Sequence, residues 1–390
     1  MSEIKKLYLD LCMSSVFHSL LEKPLLLHFS SYARSNELDK KIKAYAAMTS
    51  EIYASGGSLT DAVKRLVFED ENVYIKARAH KKEISKEISI AVLRELSVFE
   101  RLATLTPEDF KLDMGVEYVS PFAFEKCNLA AEYEERIDSI EKHGYGIFAS
   151  HPMFRLETSG ELSPIVSADK ISLDSFIGYE QERQTVVENT IAFIEGRSAL
   201  NVLLCGDAGT GKSSTVKAVA NHFFDRGVRL IELRKDQLSF LPEIMGRISE
   251  NPLKFIIFID DLSFNKSDDN FSMLKAALEG SASARAKNAV IYATSNRRHI
   301  VRETFEEREG ADVHRNDTMQ EKLSLSERFG LVVLFQRPTK QIYLKIVREL
   351  ADRNNISLDP SDLEIKAEEF ALRRGNRSAR CAEQFIKSLL

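Results

Sequence analysis

One short stretch of the chain gathers residues whose types and spacing suit phosphate chemistry. Gly206-Asp207-Ala208-Gly209-Thr210-Gly211-Lys212-Ser213, followed by Ser214, matches the pattern G-x-x-x-x-G-K-[ST]. Glycines at 206, 209 and 211 let a backbone curl until its N–H groups point at phosphate oxygens. A helix opening at the end of the loop adds the positive end of its dipole. In such a loop Lys212 reaches the β- and γ-phosphates of a nucleoside triphosphate, and the Ser213 hydroxyl sits on Mg²⁺. Further on, the apolar run Phe255-Ile256-Ile257-Phe258-Ile259 ends in two carboxylates, Asp260 and Asp261. Asp260 is placed to hold Mg²⁺ through water, and Asp261 to polarise an attacking water as general base. The competing reading of either aspartate is a cap on a helix or turn.

These groups need a scaffold, and the pattern around them supplies one. Short β-branched runs at 201–205, 229–233, 255–260, 289–295 and 331–335 alternate with helical segments. That alternation predicts right-handed βαβ units: an α/β fold with a P-loop parallel sheet and helices on both faces. Val216, Val219, Ala220 and Phe223 then form the buried face of the helix after the loop. Residues 1–144 have a different grammar and read as a mainly helical domain. Ile84, Ile88, Val92, Leu96 and Phe99 share one helix face. Ser55-Gly56-Gly57-Ser58 breaks one helical run, and Thr106-Pro107-Glu108 starts another. Between them and the sheet, residues 145–171 hold Gly146, Pro152, Gly160 and Pro164, and read as a linker or small irregular element.

Composition limits the function classes. The chain has 390 residues, 54 basic against 59 acidic, for a formal charge of −5. Net charge therefore does not mark the whole molecule as a nucleic-acid or membrane-surface binder, while a local basic patch and a nucleic-acid partner stay open. Four scattered cysteines, Cys12, Cys127, Cys205 and Cys381, support neither a disulfide framework nor a zinc site. The apolar N-terminal stretch from Leu7 to Phe29 is interrupted by Asp10, His18, Glu22, Lys23 and Pro24, too soon to span a bilayer. A cytoplasmic protein is expected.

Further motifs, in order, resemble the AAA+ ATPases over about 172–390. Ile177-Gly178-Tyr179-Glu180 is similar to the segment that cups the adenine base in that superfamily. Tyr292-Ala293-Thr294-Ser295-Asn296 resembles the sensor 1 strand, so Asn296 would orient the lytic water or touch the γ-phosphate. Leu325-Ser326-Glu327-Arg328-Phe329-Gly330 resembles the pattern whose arginine enters a neighbouring subunit's site, which makes Arg328 a finger acting in trans. The resemblance divides the chain into a core at 172–337 and a helical lid at 338–390. In the lid, Gly375-Asn376-Arg377-Ser378-Ala379-Arg380 looks like sensor 2; Arg380, in the first turn after a Ser378 cap, is favoured over Arg377. Most AAA+ enzymes carry Glu where this chain has Asp261, and an Asp, one methylene shorter, implies slow hydrolysis. The strings at 260–264, 293–299 and 321–330 closely resemble a bacterial AAA+ family catalogued only as a domain of unknown function.

The resemblance implies ATP and Mg²⁺ as cofactors and a homo-oligomeric ring or arc that remodels or assembles a macromolecular partner, with a protein partner captured by the helical domain. The alternative is a slow ATP-operated switch or loader. A P-loop kinase fits less well, because the sensor, finger and lid motifs have no place in it. After sensor 1, Arg297, Arg298, Arg302, Arg308 and Arg315 are balanced by Glu303, Glu306, Glu307, Glu309 and Asp312, which suits a salt-bridged loop better than a DNA patch. His299 and His314 lack a third ligand at metal spacing.

Overall fold

A computed structural model describes residues 2–166, 171–262, 274, 278, 286–296 and 328–390. The chain forms two compact units, Met1–Ser150 and His151–Leu390.

The first unit is helical: α1 (Glu3–Cys12), α2 (Pro24–Arg34), α3 (Leu38–Ala54), α4 (Leu59–Glu69), α5 (Val73–Ala79), α6 (Lys86–Ala103), α7 (Pro107–Met114), α8 (Leu129–Asp138) and α9 (Ile140–His143). Val92, Leu96 and Phe99 of α6 are buried, as their spacing predicts. The Ser55–Ser58 break separates α3 from α4, and Ser58 caps α4 by accepting from the Asp61 N–H. Thr106 and Asp109 form a capping box at α7, with Pro107 opening the helix. Glu95 of α6 lies inside this unit and accepts from the backbone N–H groups of Ser15, Val16 and Phe17, which satisfies its buried charge.

The second unit is built on β1 (Met153–Leu156), β2 (Leu162–Pro164), β3 (Val202–Gly206), β4 (Val228–Leu233), β5 (Lys254–Ile259), β6 (Ala289–Ser295) and β7 (Leu331–Phe335). Their order in the sheet is β2-β1-β4-β5-β6-β3-β7. Every pairing is parallel except β1 with β2. The P-loop strand β3 thus lies between β6 and β7, with β5 beyond β6. Alternate side chains cover the two faces. Val202, Leu204, Leu230, Ile256, Phe258 and Tyr292 pack against α10 (Glu180–Ile194) and α11 (Lys212–His222). On the other side lies α12 (Leu241–Ser249), held in part by Asn288, whose amide donates to the Ile248 carbonyl. The chain closes with three helices, α13 (Lys340–Arg353), α14 (Pro360–Arg374) and α15 (Ala379–Lys387), packed around Tyr343, Val347, Ala367 and Phe385. A mostly parallel sheet flanked by helices, followed by three C-terminal helices in the segment expected as the lid, is the expected fold class.

Part of the expected linker is corrected. Residues 153–156 and 162–164 are strands that extend the sheet beside β4, with Phe154 opposite Ile231. The Gly160 turn folds β2 back on β1, and Pro164 sits at the sheet edge, where a missing donor costs nothing. Among the described residues no helix is long and apolar enough to cross a membrane.

Candidate functional site

The site forms where β3 and β5 end. Gly206 closes β3 at φ +143°, and a Cβ there would lie 2.0 Å from the Phe335 carbonyl oxygen of the neighbouring strand, so no side chain fits. The loop then passes through Gly209 and Gly211, both at positive φ, into α11. Lys212 is buried at the first turn. Its ammonium donates to the carbonyls of Gly206 and Asp207 at 2.9 and 2.8 Å and to Asn296 Oδ1 at 2.9 Å. Burial pulls its pKa below the ordinary lysine value. Thr210 adds a bond from its hydroxyl to the Asp207 carbonyl, which tightens the loop.

The carboxylates face this loop. Ser213 Oγ donates to Asp260 Oδ1 at 2.6 Å, so the two groups expected at a metal converge. Asp261 adopts φ +52°, a left-handed conformation that Asp tolerates better than most residues. Its Oδ1 accepts from Asn296 Nδ2 at 2.8 Å. Asn296 therefore bridges the Lys212 ammonium and the Asp261 carboxylate. A cleft of about 350 Å³ opens here, lined by the loop from Ala208 to Ser214 and by Asp260, Asp261 and Asn296. A hydroxyl and a carboxylate are hard oxygen donors of the kind that hold Mg²⁺, which takes one or two protein groups and completes its shell with phosphate and water. The residues present fit that ion.

The base-side segment is placed less simply. Ile177 and Tyr179 line the cleft and Gly178 does not; Ile177 is also buried in the lid core, and a Cβ on Gly178 would meet Ile342 of the lid at 3.2 Å. The Tyr179 ring packs on Phe335, and its hydroxyl donates to the Gln336 carbonyl at 2.5 Å. Burial raises its pKa well above the tyrosine range. Its side chain thus latches the start of α10 to the end of β7.

The lid reaches the loop directly. The Arg380 N–H points at the Gly209 carbonyl at 3.4 Å, and a Cβ on Gly209 would lie 3.0 Å from Ser378 Oγ. Arg380 lines the cleft, whereas Arg377 is turned to Glu368, 2.7 Å away on α14. Arg328 lies elsewhere. Leu331 pairs with Val202 at the start of β3, so Arg328 sits beyond the sheet end opposite the phosphate loop. The strand between them is five residues, about 16 Å at 3.3 Å per residue. Arg297, Arg298, Arg302, Arg308, Arg315, His299, His314 and the 263–264 and 325–327 motif residues lie outside the described residues.

Sequence reasoning missed Thr294. Its hydroxyl donates to Asp260 Oδ1 at 2.6 Å and accepts from the Asp261 N–H at 2.9 Å. It also passed over Phe176, Arg183, Ile346, Leu350 and Glu383, which complete the cleft wall.

Solved structures similar to this chain include the Thermotoga maritima RuvB Holliday junction branch migration motor, at 14% identity, 57% of this chain, 72% of that chain and a TM-score of 0.34. A proline-to-glycine mutant of the same RuvB matches at 16% identity over 56% of this chain and 72% of that one, with a TM-score of 0.35. No curated protein matches the chain. Residues 149–390, well over half of its length, match the family described as Protein of unknown function (DUF815), and the chain belongs to that family.

Proposed function

We propose that this protein binds ATP with Mg²⁺ and hydrolyses it, as an AAA+ ATPase that assembles into a ring or arc and remodels or assembles a macromolecular partner. The observation that carries the reading is the convergence of Lys212, Ser213, Asp260, Asp261 and Asn296 on one cleft at the end of β3 and β5. Lys212 would hold the terminal phosphates, and its buried charge gains the anionic partner that its surroundings only partly supply. Ser213 and Asp260 would hold Mg²⁺, which supplies charge neutralisation on the transferring phosphoryl group. Asp261 would take the proton from the attacking water, with Asn296 fixing its carboxylate and touching the γ-phosphate. Arg380 would approach the phosphates from the lid.

Arg328 supports assembly. From the far end of β7 its side chain cannot reach the phosphate loop of its own chain, so an arginine finger at this position works on a neighbour's nucleotide. The N-terminal helical unit would capture a protein partner. A nucleic-acid partner gains nothing from the net charge.

A second reading, the slow ATP-operated switch or loader, is favoured by one contact. Because Ser378 and Arg380 lie against Gly209, a ligand under the loop bears on the lid, and nucleotide binding alone can shift the lid position.

The test is phosphate release by the full chain with ATP and Mg²⁺ over a range of protein concentrations, beside Lys212→Ala. Specific activity that rises with concentration supports sites completed between subunits. Activity at the Lys212→Ala level with retained ATP binding selects the switch, and ATP affinity unchanged by Lys212→Ala overturns the phosphate-loop assignment.

A further inference from the structure

The cleft has an end that phosphate chemistry does not use. Its walls there are Phe176 and Ile177, ahead of α10, and Ile346 and Leu350 of α13. Arg183 of α10 is only 8% exposed, yet it lines the cleft. Its guanidinium carbon lies 5.1 Å from the centre of the Phe176 ring. The other side of the arrangement is the phosphate loop, since a methyl built on Gly211 would sit 3.8 Å from the same ring.

Phe176 covers the guanidinium but offers it no hydrogen-bond acceptor. Glu180 and Glu182 act on it only at a distance, and burial pulls its pKa below the usual arginine value. Among the described residues, no carboxylate or carbonyl accepts a hydrogen bond from it. Arg229, buried in the same unit, is provided for differently: it donates to the carbonyls of Phe224 and Val228. A nearly buried cation with unmatched donors facing a cleft is a binding group, because a ligand acceptor recovers what desolvation costs.

We propose that Arg183 is a nucleobase-binding residue, whose guanidinium donates to an acceptor atom on the base of the nucleotide that Lys212 holds by its phosphates. This rests on the nucleotide reading above. A guanidinium only donates, so it addresses a ring nitrogen or a carbonyl oxygen of the base and not an exocyclic amino group. Phe176 fixes its position, and the apolar walls keep water from competing for the donors.

The test compares two ligands that differ only in the base, ADP and ribose 5-diphosphate, both with Mg²⁺, titrated by calorimetry into the wild-type full chain and Arg183→Met. ADP binding is expected to weaken about tenfold or more, while ribose 5-diphosphate binds both proteins equally. Equal loss for the two ligands places Arg183 on sugar or phosphate and overturns the proposal, as does undiminished ADP binding. Should Arg183→Met fail to fold, Arg183→Lys, which keeps the charge and loses the planar fork, takes its place with the same expected contrast. If wild type binds neither ligand while Lys212→Ala is indistinguishable from it, the nucleotide reading itself falls, and this inference with it.

Discussion

Asp260 Oδ1 receives three hydrogen bonds, from Ser213 Oγ, Thr294 Oγ1 and the Asp261 N–H, and Thr294 supplies the one whose loss can be isolated. Its hydroxyl also accepts from the Asp261 N–H, so a single buried group sets the direction of one carboxylate and the backbone of the other. Thr294→Val keeps the shape and removes the hydroxyl. A bond to a charged acceptor contributes about 1.5–3 kcal/mol, so turnover is expected to fall roughly tenfold to a hundredfold. ATP affinity should stay near wild type, because the phosphate loop is untouched. The half-saturating Mg²⁺ concentration should rise, and Thr294→Ser should restore both. A Thr294→Val protein with normal turnover and normal Mg²⁺ dependence would show that Thr294 only fills space. The residues Lys212, Ser213, Asp260, Asp261 and Asn296 were legible in the sequence because each sits inside a contiguous motif. Thr294 was not: it faces Asp260 only through the β5–β6 register, in which Ile259 pairs with Ala293, and one sequence does not state which strands are neighbours.

Among elements, the lid depends on a carboxylate that joins its three helices. Glu368 of α14 pairs with Arg377, just ahead of α15, at 2.7 Å and with Lys340 of α13 at 3.7 Å. The Arg377 hydrogen bond holds the Glu368 pKa below the ordinary glutamate value. A carboxylate with a depressed folded-state pKa contributes stability above its unfolded pKa, and that contribution is lost as pH falls through the folded value. Glu368→Gln is thus expected to destabilise the protein by about 0.5–1 kcal/mol at neutral pH. Melting temperatures of wild type and variant should converge as pH falls below the ordinary glutamate range and through the depressed folded-state value, beneath which both carry a neutral side chain. A gap that persists in acid would place the effect in packing. The same pair turns Arg377 toward Glu368, whereas Arg380 lines the cleft. The five strands from β3 to β7 were readable as β-branched runs. The strands β1 and β2 were not, because four and three residues interrupted by glycine and proline carry no periodicity.

For the whole molecule, assembly can be tested with two inactive chains. Lys212→Ala lacks a working phosphate loop but keeps Arg328, and Arg328→Ala has the reverse defect. Loss of a finger costs about 10³–10⁵ in rate, so each alone should be silent. In an equimolar mixture about one site in four pairs an intact loop with a neighbour's intact arginine, and activity should return. No recovery at any ratio would show that Arg328 does not act between chains. The division into a helical unit and a P-loop unit was legible from the change of grammar along the chain; its position at Ser150 was blurred because the first strand follows within a few residues. Strand β7 has a mechanical consequence. Beyond its first residue lies Arg328; at its last, the Phe335 carbonyl abuts Gly206, and the next carbonyl, of Gln336, takes the Tyr179 hydroxyl. Arg337 then bonds the Gly375 carbonyl at the end of α14. A hydrogen-bonded strand barely stretches, so in an assembly where an adjoining chain pulled on Arg328, β7 would carry that displacement with little slack to the loop, the Tyr179 turn and the lid.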